Sequence, residues 1–174
     1  MAAPRVQLVA SRAGPSVTDL WLVRAGSVAD LAALVATPDW HDHVDSRGGF
    51  GLLLAWAGQT PDFAEVAALA RVLIKQGMFY FGAWGPGSAR IEYAVDVTDV
   101  TVQMDAAQGS EAPIVMTTSF GAVPIDDALF ELWEMAPRDE GKVPGPARVA
   151  AVLGEAIGGD LVSAVRARGG PRAG

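Results

Sequence analysis

The stretch MFYFGAWGPGSAR, residues 78–90, decides how the rest of the chain reads. Met78–Trp84 is a near-continuous apolar run, Gly85-Pro86-Gly87 closes it, and Ser88 opens a helix of which it is the cap. An apolar run of this length ended by turn residues is the pattern of a parallel strand covered on both faces. Residues 78–84 are therefore expected as the central strand of a sheet. The turn after them then falls at the carboxyl edge, where open α/β folds place their ligand crevices.

Immediately upstream, residues 50–57 (FGLLLAWA) form a second buried-strand candidate. Thr60-Pro61 supplies an N-cap and first helical residue, and Phe63, Val66, Ala67, Ala70, Leu73 and Ile74 repeat at helical steps until Gly77 ends the run. Strand, helix and strand follow one another with short joins, a βαβ unit expected to cross over right-handed. Further back, residues 19–24 (DLWLVR) read as a strand and residues 5–10 as a short edge strand. Ser27 and Asp30 have the spacing of a capping box for a helix that carries Val28, Leu31, Leu34 and Val35 on one face, and Thr37-Pro38 restarts a turn or short helix.

Downstream, a short helix is expected from Ser88 to about Val95. Residues 97–104 (VTDVTVQM) alternate and are rich in β-branched side chains, so they read as a strand with Asp and Thr on its wetter face. Residues 113–119 (PIVMTTS) read as another strand, and Pro124 opens a helix with Asp126 and Asp127 in its first turn, where the macrodipole favours carboxylates. Residues 1–136 are thus expected to form one α/β domain with its core in 50–136: a three-layer, mainly parallel sheet of four or five strands. Residues 137–146 read as a Pro/Gly-rich linker. Residues 147–169 read as two Ala/Val-rich helices, packed on the same domain or on a partner, before a tail expected to be disordered.

Composition narrows the function. At 174 residues the chain is long enough for one substantial core. A hydrophobic share of 51% and a mean hydropathy of +0.27 point to a large core or a partner-covered surface. A net charge of −7 argues against nucleic acid as the main partner. The absence of cysteine removes disulfides, thiolate catalysis and Cys-ligated zinc. Residues 1–14 lack the apolar core of a signal peptide, and the longest uncharged runs contain Pro and Gly and fall short of the roughly 20 residues of a membrane span. A cytoplasmic protein is the expectation.

Four groups of residues bear on chemistry. The turn of Gly85, Gly87 and Ser88 leads into a helix N-terminus, whose N–H groups can hold a small anion; a plain tight turn gives the same sequence, and no phosphate-loop lysine is nearby. Thr117, Thr118 and Ser119 end another strand and either line the same crevice or satisfy loop backbone. Trp56 and Trp84 both fall near the carboxyl ends of neighbouring strands, where they stack on a ligand or pack in the core. His41, His43 and Asp45 would point one way in an extended segment, a three-ligand metal pattern, and would fan apart on a helix. The acid pairs Asp126 with Asp127 and Glu131 with Glu134 match solvated helix faces. No acid–base or nucleophile set emerges, since both histidines lie far back in sequence from the serine and threonine hydroxyls. The function expected is a non-catalytic binding or assembly module, with itself or another protein as partner, no cofactor, and no membrane. The alternative is a small-molecule or nucleotide-binding enzyme using the Trp84-to-Ser88 turn together with residues 117–119.

Ala83-Trp84-Gly85-Pro86, Arg90, Met116-Thr117-Thr118 and Asp126-Asp127-Ala128-Leu129 stand in an order that resembles an uncharacterised bacterial family of small α/β domains, a domain of unknown function. The resemblance covers about a third of the chain and implies the fold rather than an activity. The family pattern runs on to Trp-His and acidic residues after Met-Thr-Thr, and to an acid and a cysteine after Trp-Gly-Pro. Here Ser119, Phe120, Gly121 and Ala122 stand at the first place, and Gly87 and Ser88 at the second.

Overall fold

A computed structural model describes residues 5–12, 18–44, 49–106, 114–135 and 147–154. Six strands form one sheet: β1 (Arg5–Arg12), β2 (Thr18–Ala25), β3 (Phe50–Trp56), β4 (Met78–Trp84), β5 (Met116–Ser119) and β6 (Ala147–Leu153). Their spatial order is β1-β2-β6-β3-β4-β5. All neighbours pair in parallel except β1 with β2, which are antiparallel. The mainly parallel α/β expectation holds, with six strands where four or five were expected.

The sixth strand is the largest correction. Residues 147–153, expected as a helix, form β6 in the middle of the sheet, parallel to β2 on one side and to β3 on the other. Among the described residues β3 and β6 are the strands buried along their whole length, which marks them as the central pair. β4 is next to the edge strand and is half-exposed at Phe79 and Trp84. The linker expected at 137–146 and the helix expected beyond residue 159 lie outside the described residues.

Helix α1 (Val28–Val35) is capped by the Ser27 hydroxyl, which accepts from the Asp30 N–H at 3.1 Å. Helix α2 (Pro38–His43) is capped in the same way by Thr37, and buries Trp40 edge-on against Phe50. Helix α3 (Phe63–Lys75) starts two residues later than Thr60-Pro61 suggested. Asp62 is its cap, its carboxylate accepting from the N–H groups of Ala64 and Glu65, because Thr60 is occupied elsewhere. Gly77, at φ +91°, ends the helix as expected.

Helix α4 (Ser88–Ala106) is a single helix through the segment expected to be a strand. Thr98 and Asp99, expected on a wet face, are buried. Thr98 donates back to the Ala94 carbonyl at 2.7 Å, and the Asp99 carboxylate accepts from the Val115 N–H just ahead of β5. The β-branched content of 97–104 was overridden by packing along α3 and against β4 and β5. Helix α5 (Ile125–Phe130) runs on into a π-helical segment, Glu131–Met135.

Alternation along the strands sorts the core into two clusters. Leu52, Leu54 and Trp56 of β3 pack with Val149 and Ala151 of β6 and with the inner faces of α1 to α4. Leu53 and Ala55 pack with Ala150 and Val152, and with Ala128, Leu129 and Leu132.

Candidate functional site

The turn after β4 is built by close approach. Gly85 has φ +135°, and a Cβ there would stand 2.3 Å from the Trp56 carbonyl oxygen and 2.9 Å from its indole ring. Only glycine fits, so the turn lies against Trp56. The Trp56 Nε1–H donates to the Pro86 carbonyl at 3.0 Å, and the Thr60 hydroxyl donates to the same oxygen at 2.8 Å. Gly87, at φ +72°, comes so near Thr60 that an added Cβ would meet its Oγ1 at 2.9 Å. The turn is clamped by two donors from the β3–α3 connection.

The other polar groups expected to face a ligand are also engaged. The buried Ser88 hydroxyl accepts from the Gly121 N–H at 3.0 Å, so it ties α4 to the strand-end segment after β5 instead of capping its own helix. The Trp84 Nε1–H donates to the Val123 carbonyl at 2.8 Å. The Thr117 hydroxyl donates to the Asp96 carboxylate of α4 at 2.6 Å. Thr118 sits on the opposite side of β5, as the hydrogen-bonding neighbour of the buried Tyr80 hydroxyl, without completing a full hydrogen bond to it. Burial, with the nearby Glu131 and Glu92 charges, raises the Tyr80 phenol above its ordinary 10.0, and Thr118 acts against that rise. Ser119 is half-buried, opposite Ala83 in the register.

The structure brings Ser88 to the segment that follows β5 and separates the two tryptophans. Trp56 belongs to the cluster under α3 and α4, whereas Trp84 packs with Phe120 and Ile125 in the other cluster, on the opposite face. Two successive residues of paired strands cannot share one crevice when the pleat points them apart. Moreover, α3 and α4 both pack into the same cluster, so the connections leaving β3 and β4 go to one face. A crevice opens where neighbouring connections part to opposite faces, and here they part between β4 and β5, because α5, which leaves β5, packs into the other cluster.

The histidine cluster takes the second of its two geometries. His41 and His43 lie on α2, not on an extended segment, and two residues along a helix are about 200° apart. The His43 ring stacks on Trp21 at 4.7 Å, and its Nε2 lies 3.2 Å from the Asp39 carboxylate one turn back. Asp45 lies outside the described residues, among which no group of three or more His, Cys, Asp or Glu is placed to hold a metal ion. Asp126 is half-buried and Asp127 exposed at the start of α5; Glu131 is half-buried, and the Glu134 side chain lies outside the described set.

Three contributors went unread in the sequence: Thr60, which clamps the turn, and the backbone groups of Gly121 and Val123, which receive the Ser88 and Trp84 side chains. Backbone partners leave no residue-type signal. A fourth feature was legible but hidden by the strand reading of 97–104. Along α4, Tyr93, Val97, Val100 and Met104 are exposed large hydrophobics at steps of four, three and four.

These features define a mixed α/β protein with a mostly parallel six-stranded sheet, a braced turn at the end of β4, and an apolar stripe on an outer helix. The chain belongs to the family described as a domain of unknown function, DUF7684, whose model matches residues 35–143. The matched stretch includes α3, β4, α4, β5 and α5, and so all of the braced turn. No curated protein and no solved structure gives a significant match. Among the described residues no helix is long and apolar enough to cross a membrane.

Proposed function

We propose that this protein is a non-catalytic binding or assembly module. The observation that carries this reading is the use of polar side chains at the end of β4. Trp56, Thr60, Trp84, Ser88 and Thr117 all spend their donors or acceptors on the fold, while α4 presents large apolar side chains outward. A catalytic or ligand site needs polar groups aimed at a space where a reacting molecule can sit. Contiguous apolar surface on an outer helix is the usual mark of a protein contact. We read the domain as three-layered, with helices on both faces of the sheet and the turn as a structural brace. We read the protein as cytoplasmic, and its net charge of −7 supports a partner that is another protein rather than nucleic acid. The resemblance in motif order supports a bacterial source.

The competing reading places a small anionic ligand or nucleotide at Gly85, Gly87, Ser88, Thr117, Thr118 and Ser119. Native mass spectrometry of the purified protein separates the two. The module reading expects masses at integer multiples of the bare chain. A mass excess that vanishes on denaturation, and is lost in Ser88→Ala, would overturn it in favour of the ligand site.

A further inference from the structure

We propose that the stripe Tyr93, Val97, Val100 and Met104 is the contact by which α4 pairs antiparallel with α4 of a second copy. This rests on the module reading and names the partner. All four side chains are exposed, at 61%, 41%, 59% and 72% respectively. Their 4-3-4 spacing averages about 3.7 residues, close to the helical repeat itself, so the row runs nearly straight along α4, and it lies opposite the face built on Ile91, Ala94, Val95, Thr98 and Val102, which faces the core.

The stripe matches itself under a two-fold axis. With the axis midway along α4, Tyr93 falls opposite Met104 of the second copy and Val97 opposite Val100. An aromatic ring thus meets a thioether at each end, and branched aliphatics meet at the centre. No polar residue interrupts this row.

Charge supplies the second argument. Helix α4 has no acid in its first turn and no base in its last. Instead Arg90 stands in the first turn and Asp105 in the last, the reverse of what the helix macrodipole favours. The Arg90 guanidinium has no ion-pair partner among the described residues, and both side chains are exposed. At about 100° per residue, Arg90 and Asp105 flank the stripe on the same side. In a two-fold antiparallel pair, like flanks face each other. Arg90 of one copy then lies within about 3 Å along the axis of Asp105 of the other, counting 1.5 Å of rise per residue. Asp105 already holds Arg71 of α3 at 3.5 Å, so the approach adds a second cation to an existing exposed pair. A parallel two-fold pairing would instead set unlike flanks together, with Arg90 and Asp105 on opposite sides of the seam from their copies and no contact between them. The pattern that is unfavourable for a lone helix is complementary for an antiparallel couple.

Sedimentation velocity of the full chain over a concentration series tests this. The wild type is expected to shift from one-chain to two-chain mass with rising concentration. Val100→Glu, which sets two carboxylates beside the axis, is expected to remain single at every concentration. Arg90→Glu and Asp105→Arg are each expected to weaken pairing about 5- to 10-fold, since the exposed pair occurs twice per dimer. The double variant R90E/D105R is expected to recover most of that loss. All the substituted positions are exposed, and circular dichroism checks that each variant is folded. A wild type that stays single throughout would overturn the proposal, as would a dimer that survives Val100→Glu or a double variant as weak as the sum of its parts. A single-chain result leaves the module reading standing with a different protein as partner, whereas a bound small molecule would defeat that reading itself.

Discussion

Replacing Gly85 with alanine is expected to be among the most damaging single-methyl changes this chain can take. The added Cβ would stand 2.3 Å from the Trp56 carbonyl oxygen and 2.9 Å from two carbons of its indole, far inside contact distance, and φ at this residue is +135°. Neither neighbour yields easily. The carbonyl belongs to the last residue of a central strand, and the indole is 2% exposed. Holding a non-glycine residue in such backbone costs about 1–3 kcal/mol. Moving Trp56 also breaks its 3.0 Å bond to the Pro86 carbonyl, at about 1 kcal/mol more. A total of about 2–4 kcal/mol corresponds to a melting temperature lower by roughly 4–16 °C in a chain of this size. Gly121→Ala is the internal control. Gly121 also has positive φ, at +42°, but an added Cβ meets nothing within 4 Å, so only the backbone term of about 1–2 kcal/mol applies. Thermal melts followed by circular dichroism, with tryptophan fluorescence to report on Trp56, give both numbers. If Gly85→Ala melts within about 3 °C of Gly121→Ala, the close packing of the turn on Trp56 is wrong.

Three further outcomes are expected. Burial raises the Tyr80 phenol above 10.0, so the folded state holds that proton more tightly than the unfolded state. Its contribution is complete below pH 10 and falls as pH climbs through the raised value. Tyr80→Phe should therefore flatten the alkaline fall in urea midpoint while staying within about 1 kcal/mol of wild type at neutral pH, because the hydroxyl completes no full hydrogen bond; identical alkaline limbs would contradict this. Asp62→Ala removes the acceptor of two helix N–H groups and should cost about 1 kcal/mol in urea denaturation. An unchanged midpoint would return the cap to Thr60. Finally, a chain ended at residue 146 lacks β6, leaving β2 and β3 without the neighbour between them, and should show no cooperative melt. A well-folded shortened chain would refute the placement of that strand.

The residues that spoke plainly in the sequence are those whose local chemistry and burial agree. Met78–Trp84 and Phe50–Trp56 are apolar throughout and are strands. Ser27 with Asp30 caps α1 as its spacing indicated, and Gly77 turns the end of α3. Residues 97–104 misled because Val and Thr favour strands on average, yet here Val102 and Thr98 face the core of a helix and Val97 and Val100 face outward. The candidate site was legible as a place and not as a function. The turn sits where the sequence put it, but hydroxyls and indoles that looked available to a ligand are consumed by Pro86, Gly121, Val123 and Asp96, partners distant in sequence.

By itself the sequence determined the class of the fold, the β3–α3–β4 unit, the glycine-bound turn and the starts of α1, α4 and α5. All of these depend on hydrophobic period, caps and backbone freedom within a few residues. Only the tertiary structure decided that Ala147–Leu153 is a strand. Alanine-rich sequence favours a helix when nothing else intervenes. Between β2 and β3, however, both backbone edges find partners in register, and small side chains fit beneath helices on a tightly covered sheet. The reach of α4, the burial of Asp99 and the separation of Trp56 from Trp84 were settled in the same way, by which neighbours the topology brought alongside.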